Sequence, residues 1–394
     1  MNLKNLLEKE VEEIIVKESL ERKIKSGKKL RIKFGADPTK PDLHLGHAVV
    51  IRVLKKFQEE GHIIIFVVGD YTAKIGDPSG RDKTRPMLSE QEIEKNAQTY
   101  FEQVGKILDI KNIELKRNSE WLKNLDYAEI IKIASKFNIA RILERDDFYN
   151  RYKKGISIGL HEFLYPVMQA YDSLFLKADL EIGGTDQKFN MLAGRELQEK
   201  MGEEPQDVIT CKILEGLDGK RKMSKSLNNY VGLDESPLEM YGKIMSIPDS
   251  LIIKYYSLCT DYSSKEIKEL EKSMKINKIN PRDAKAKLAY SIVKIYHNQE
   301  EAQKASAEFE RIFKMREMPK DIPEITLKMP IYLICDLLVS TNLVNSKSEA
   351  RRLIEQKGVK IDGETITNKN KKIKIKEDMV IQVGKRRFVR VKTG

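Results

Sequence analysis

The sequence predicts an α/β fold: a mainly parallel sheet, then an α-helical domain, then a small basic α+β module. Three observations predict it. Between residues 30 and 214, short apolar runs at 30–34, 63–68, 113–115 and 180–182 alternate with longer amphipathic stretches, which is the rhythm of strand–helix units. From 236 to 314 the apolar spacing becomes helical throughout. The last 55 residues hold 15 Lys and Arg against 6 Asp and Glu, a net +9 of the chain's formal +12. A charge excess packed into one folded segment points to a polyanionic partner.

Each segment has its own signal. A chain of 394 residues suggests two or three domains. The expected boundaries are 1–225 for the α/β domain, 226–320 for the helical domain and 331–394 for the basic module. The first 27 residues are charged, with apolar Leu3, Leu6, Leu7, Val11, Ile14 and Ile15 at amphipathic helical spacing, which fits no secretory signal. The run at 63–68 is far too short to span a bilayer, so no membrane role is expected. Pro237, Pro248 and Pro281 stand where new helices start, and 318–323 reads as a linker. In the basic module Ser346 caps a helix with Glu349 three residues on, a strand and turn follow from Gly358, and Lys and Ile then alternate. Cys211, Cys259 and Cys335 are odd in number and far apart. They form neither a disulfide framework nor a metal cluster, which suits a reducing cytoplasm.

The chemistry is carried by two strings 178 residues apart, His44-Leu-Gly-His47 and Lys222-Met-Ser-Lys-Ser226. The first lies where a strand runs through a proline-punctuated turn into a helix. Helix N-termini offer unpaired N–H groups and partial positive charge to phosphates. His44 and His47 can both face such a ligand, Thr39 adds a hydroxyl, and Gly46 lets a flat base or ribose lie against the backbone. The second string puts Lys222 and Lys225 three apart on a loop opened by Asp218-Gly219, with Ser224 and Ser226 between the charges. Together they suit a nucleoside triphosphate.

With the segments between them, these strings resemble a class I aminoacyl-tRNA synthetase, and more narrowly the bacterial tyrosyl-tRNA synthetases that carry Lys-Met-Ser-Lys-Ser. The resemblance covers essentially the whole chain. It rests on Asp37-Pro-Thr39, Ile75-Gly-Asp-Pro-Ser-Gly80, Tyr165-Pro-Val-Met-Gln-Ala-Tyr-Asp172 and Ile182-Gly-Gly-Thr-Asp-Gln187. It implies a nucleotide-binding, Rossmann-like parallel sheet, a helical anticodon-side domain and an S4-like RNA-binding module. It further implies that Thr39, His44, His47, Lys222 and Lys225 act on the phosphates. Asp37, Gly46, Gly184, Asp186, Met223 and Lys225 are implied to hold ATP, with Asp186 on the ribose. Asp77, Tyr165 and Gln169 would hold the amino group of tyrosine, Asp172 would meet the phenol, and Gln187 would also bind tyrosine. The implied partners are tyrosine, ATP with Mg2+ but no protein-bound metal, tyrosine tRNA and a second copy in a homodimer.

Residue logic agrees. Tyr165, Gln169 and Asp172, at i, i+4 and i+7, line one face of a helix. A buried carboxylate awaiting a hydroxyl penalises phenylalanine, because its charge would then lack a partner. The first step needs no protein nucleophile or general base, since the substrate carboxylate is already an anion at pH 7. Catalysis is then positioning plus charge stabilisation. Lys33 departs from the better-known subgroup, which has a tyrosine there; either it points elsewhere or phenol recognition is weaker. Phe34 and Val50 likewise replace groups that often touch the nucleotide. Two rivals are a small-molecule nucleotidyltransferase, which has no reason to carry the helical and basic segments, and a non-catalytic RNA-binding protein, which leaves the phosphate motifs unexplained.

Overall fold

A computed structural model describes residues 8–39, 42–77, 89–314, 322–327, 330–384 and 387–393. The chain forms two compact units, one of residues 1–235 with 246–288 and the other of 236–245 with 289–394.

The first unit is built on a six-stranded sheet: β1 (Val11–Ile15), β2 (Arg31–Ala36), β3 (Ile63–Val68), β4 (Ile113–Arg117), β5 (Leu180–Gly184) and β6 (Asp207–Cys211), in the order β1-β6-β5-β2-β3-β4. β2 to β6 run parallel and β1 is antiparallel to β6. The four apolar runs are therefore strands, as expected, and the parallel order is the doubly wound one. Its direction of winding reverses between β2 and β5, the place where such sheets bind ligands beyond their carboxyl ends. β3 is buried along nearly its whole length, which is why it reads as an unbroken apolar run rather than an alternating one.

The N-terminal expectation needs correction. Val11–Ile15 is a strand, not part of an amphipathic helix, and the helix runs from Lys17 to Lys25. The edge of β6 offers unpaired backbone groups, and pairing of Val11 with Cys211 and Ile15 with Val208 satisfies them. Tertiary pairing overrides a five-residue periodicity. Leu3, Leu6 and Leu7 lie outside the described residues, as do Pro78, Ser79 and Gly80.

The proline punctuation holds. Pro237 and Pro281 are the first residues of helices Pro237–Met245 and Pro281–Tyr296, and Pro248 precedes the short turn that leads into Ile252–Cys259. At N1 the missing N–H costs nothing. In the second unit, helices Pro237–Met245 and Gln299–Lys314 pack together, with the Tyr241 and Phe309 rings 5.2 Å apart. The basic module has a five-stranded sheet, β10-β9-β12-β13-β7, and a pair, β11-β8. These strands are β7 (Glu324–Leu327), β8 (Ile331–Leu333), β9 (Val359–Ile361), β10 (Glu364–Thr365), β11 (Lys372–Lys374), β12 (Val380–Val383) and β13 (Arg387–Thr393). Ser346 Oγ accepts from Glu349 N–H at 3.2 Å, the expected cap. Asp362 and Gly363 both take positive φ, forming the tight turn that joins β9 to β10. Lys372, Lys374 and Lys376 are exposed while Ile373 and Ile375 are buried, so the alternation is that of a half-buried strand. Of the presumed linker, 318–321 lies outside the described residues, and Ile322 is buried against Val380 and Phe388.

Candidate active site

The sequence-predicted residues converge on the carboxyl ends of β2, β3 and β5. Beyond β2, Asp37 is a brace. Its Oδ2 accepts from the Tyr165 hydroxyl and its Oδ1 from Thr72 Oγ1, both at 2.9 Å. Gly69, just past β3, must be glycine, because a Cβ there would lie 2.1 Å from Asp37 Oδ1. The Asp37 carbonyl accepts from Thr39 N–H and from the Tyr100 hydroxyl, which closes the turn.

His44 is the N-cap of helix Leu45–Glu59, and its N–H donates to His47 Nδ1 at 3.3 Å. That bond makes Nδ1 of His47 the acceptor, so a neutral His47 carries its proton on Nε2, free to donate to a ligand. The two rings lie 3.9 Å apart. Burial, reinforced by Lys225 and Lys222, pushes His47 down to about 3. Burial and the neighbouring His47 push His44 well below its ordinary range. Both are therefore neutral near pH 7. His44 Nδ1 is buried with no hydrogen-bond partner among the described residues. Gly46 gives the His44 ring its room, since a Cβ would come within 3.0 Å of it.

The lysine loop is stitched to this turn. Leu45 N–H donates to the Val231 carbonyl and Leu233 N–H to that of Leu43, both at 3.0 Å, with His44 and Gly232 bridged between. Buried Asn229 holds the loop from beneath: its Oδ1 accepts from Ser224 N–H, and its Nδ2 donates to the Lys222 carbonyl and to Asp218. Although burial pushes the Asp218 carboxyl up, donors from Lys220, Arg221 and Asn229 hold it at about 2. Met223 is buried, its Cβ 3.6 Å from where a Cβ on Gly46 would sit, and Lys225 Nζ lies 5.8 Å from the centre of the Tyr100 ring. Lys222 Nζ pairs with Asp186 Oδ2 at 2.9 Å. Gly183 and Gly184 end β5, and Asp186 and Gln187 sit in the 3-10 turn that follows.

Helix Leu160–Leu176 presents Tyr165, Gln169 and Asp172 along one face, as the spacing predicts. Their hydrogen bonds decide which atoms remain to accept. The Tyr165 hydroxyl spends its proton on Asp37, and Gln169 Nε2 donates to Glu181 Oε1 at 3.1 Å, which leaves the Gln169 Oε1 oxygen as an acceptor. Asp77 Oδ2 accepts from Gln187 Nε2 at 2.6 Å. Asp172 is buried and held by two donors, Trp121 Nε1 on Oδ1 at 2.8 Å and Asn118 Nδ2 on Oδ2 at 3.3 Å. Burial outweighs Lys33 and these donors and lifts its carboxyl to about 6.

Lys33 points elsewhere, the first of the two expectations. It sits in β2 in register with Glu181 of β5, fully buried. Its Nζ reaches Glu181 Oε1 at 2.9 Å, Ser173 Oγ at 2.8 Å and the Gln169 carbonyl at 3.0 Å, three acceptors for three N–H groups. Phe34 and Val50 are core residues. Sequence reasoning missed Asn118, Trp121 and Glu181. A signal for the last was present: a Glu between Leu180 and Ile182 in so short a strand run is a buried charge in need of a partner, though nothing local names Lys33 as that partner.

Residues 25–314 match the family described as tRNA synthetases class I (W and Y), and residues 314–391 match the Tyrosine--tRNA ligase SYY-like C-terminal domain. The chain is 50% identical over 389 residues to a tyrosine–tRNA ligase of Thermotoga maritima, covering 99% of this chain and 97% of that one. It is 48% identical to one of Moorella thermoacetica, covering 98% and 95%. A solved tyrosyl-tRNA synthetase of Archaeoglobus fulgidus, complexed with L-tyrosine, is similar with a TM-score of 0.63 at 25% identity, over 77% of this chain and 98% of that one.

Proposed function

The chain belongs to the class I tRNA synthetases of the tryptophan and tyrosine group, among the tyrosine–tRNA ligases, and we propose that the site described above joins tyrosine to ATP and then to tRNA. The observation that carries this reading is the meeting of two motifs of phosphate chemistry with a buried carboxylate, Asp172, at the reversal point of the sheet.

The tyrosine ammonium donates to the Tyr165 hydroxyl oxygen, Gln169 Oε1 and Asp77, with Gln187 holding Asp77. The phenol donates to Asp172. ATP lies over Gly46 and Met223, beside Asp37 and Gly184, with its ribose on Asp186 and its phosphates facing Thr39, His44, His47, Lys222 and Lys225. Mg2+ enters with the phosphates, and no residue of the chain is assigned to it. One tyrosine carboxylate oxygen attacks the α-phosphorus in line. The new O–P bond replaces the bond to the bridging oxygen, which departs with its electron pair as pyrophosphate. Neutral His47 donates from Nε2 without having to lose a proton, and the two ammonium groups take up the charge moving onto the leaving group. Lys222 must exchange Asp186 for phosphate as the ribose arrives, so the 2.9 Å pair marks the resting loop. A ribose hydroxyl of the 3′-terminal adenosine of tyrosine tRNA then attacks the tyrosyl carbonyl carbon; the new ester C–O bond replaces the anhydride C–O bond, and AMP departs with that electron pair, its phosphate taking the hydroxyl proton.

The exposed cations of the basic module, among them Arg351, Arg352, Lys357, Lys360, Lys372 and Lys374, support tRNA docking. Homodimer formation is supported by apolar side chains in solvent on the helices between β4 and β5, with Tyr127 79% and Leu160 76% exposed and Ile139 and Tyr152 alongside. A cytoplasmic setting is supported by three buried, unpaired cysteines; among the described residues no helix is long and apolar enough to cross a membrane. ATP–pyrophosphate exchange tests the activation step. It is expected with tyrosine, and exchange supported by another amino acid but not by tyrosine would overturn it.

A further inference from the structure

Arg145 belongs to none of the sets above, yet its guanidinium is buried and tied to one of them. Nη1 donates to Asn190 Oδ1 at 2.9 Å, Nη2 lies 3.5 Å from Asp77 Oδ1, and Nε donates to Asp147 Oδ1 at 2.8 Å. The rings of Phe148 and Phe189 flank the guanidinium at 5.2 and 5.9 Å. Gln187 Nε2 donates to Asp77 Oδ2, and Asn190 Nδ2 donates to Gln187 Oε1 at 2.9 Å. Asp77, Gln187, Asn190 and Arg145 thus close a ring drawn from four segments: the turn after β3, the turn after β5, helix Lys188–Lys200 and the residue ahead of helix Asp146–Lys153.

We propose that Arg145, held by Asn190, is the positioning residue for the ammonium end of the substrate, aiming the Asp77 carboxylate that accepts from it. The inference rests on the reading of Asp77 given above. Asp77 stands on a turn, and a lone carboxylate there could rotate. With Arg145 on one oxygen and Gln187 on the other, the plane of the carboxylate is fixed. A planar guanidinium fixes direction as a single ammonium cannot, because its N–H groups leave in a fixed fork. The charge count also fits. Arg145 alone would repel the incoming ammonium, but Asp147 offsets it. In formal charge Asp77, Arg145 and Asp147 sum to −1. The aromatic rings keep water from the guanidinium, which strengthens each of these contacts.

The test uses the full chain and three ligands: tyrosine, tyramine (ammonium without carboxylate) and 3-(4-hydroxyphenyl)propionate (carboxylate without ammonium). R145Q should weaken tyrosine and tyramine alike, by about tenfold, and leave the third ligand within about twofold as a competitive inhibitor of exchange. At saturating tyrosine, kcat should move much less than KM, and Arg145→Lys should not restore affinity. Equal weakening of all three ligands would make Arg145 a packing residue and overturn the inference, as would no weakening at all. D77N separates the two levels. If it leaves tyrosine and tyramine binding intact, the reading of Asp77 fails; if it weakens both while R145Q does not, only the role of Arg145 fails. Should R145Q not fold, N190A, which keeps the arginine and removes its anchor, must give the same selective pattern or the inference is wrong.

Discussion

Asp172 illustrates how one side chain takes its chemistry from its surroundings. A carboxyl lifted to about 6 by burial is mostly protonated below that pH, and only the anion is a full acceptor for a phenol. Because the folded value lies above the ordinary one, tyrosine capture should strengthen as pH rises through about 6. We expect kcat/KM for tyrosine to climb between about pH 5 and 7, and D172N to flatten that limb and narrow the preference for tyrosine over phenylalanine. A profile unchanged by D172N would remove the carboxylate from phenol recognition. Lys33 makes a different prediction. Its ammonium and Glu181 are sealed together, so Lys33→Met strands a buried anion and should cost about 3–5 kcal/mol in denaturant unfolding. Replacing both partners by apolar residues should return much of that loss. The residue types were legible at both positions, but their pairing was not, because β2 and β5 meet only through the order of the sheet.

At the scale of elements, the lysine loop shows what a motif string leaves out. Lys222 and Lys225 were legible from spacing, whereas the device that shapes their loop is Asn229, a buried amide serving Ser224, Lys222 and Asp218. An asparagine among polar loop residues carries no sign of burial. N229A should slow tyrosine-dependent exchange by about tenfold or more while leaving equilibrium tyrosine binding unchanged, because it unseats the loop that carries Lys222 and Lys225 and touches none of the residues proposed to hold tyrosine. Loss of both in equal measure would point to general unfolding instead. Helix starts were the most legible elements, as Pro237, Pro281 and Ser346 each act within one turn. The edge strand β1 was the least, because five residues of mixed pattern fit a helix until β6 supplies a partner.

Across the whole molecule, the two motifs of the proposed activation site gather at one end of the parallel sheet, and the cationic excess gathers in a module with its own core around Ile334, Leu337, Leu338, Ile381 and Val391. Removing residues 322–394 should therefore leave exchange within about twofold and cut tRNA charging by at least about tenfold; equal loss of both activities would contradict that division. The cut belongs before Ile322 and not at 331, since β7 pairs along β13 and would be left without its neighbour. By itself the sequence determined the fold class, the two motif strings, the helix that carries Tyr165, Gln169 and Asp172 along one face, and the basic module, because each is written in local spacing, in capping or in charge density. Only the tertiary structure decided that Lys33 turns to Glu181, that Trp121 and Asn118 hold Asp172, that Lys222 rests on Asp186 and that Arg145 closes a ring around Asp77. Each of those contacts joins segments far apart in the chain, and such neighbours follow from the topology of the sheet and the helices laid against it rather than from distance along the chain.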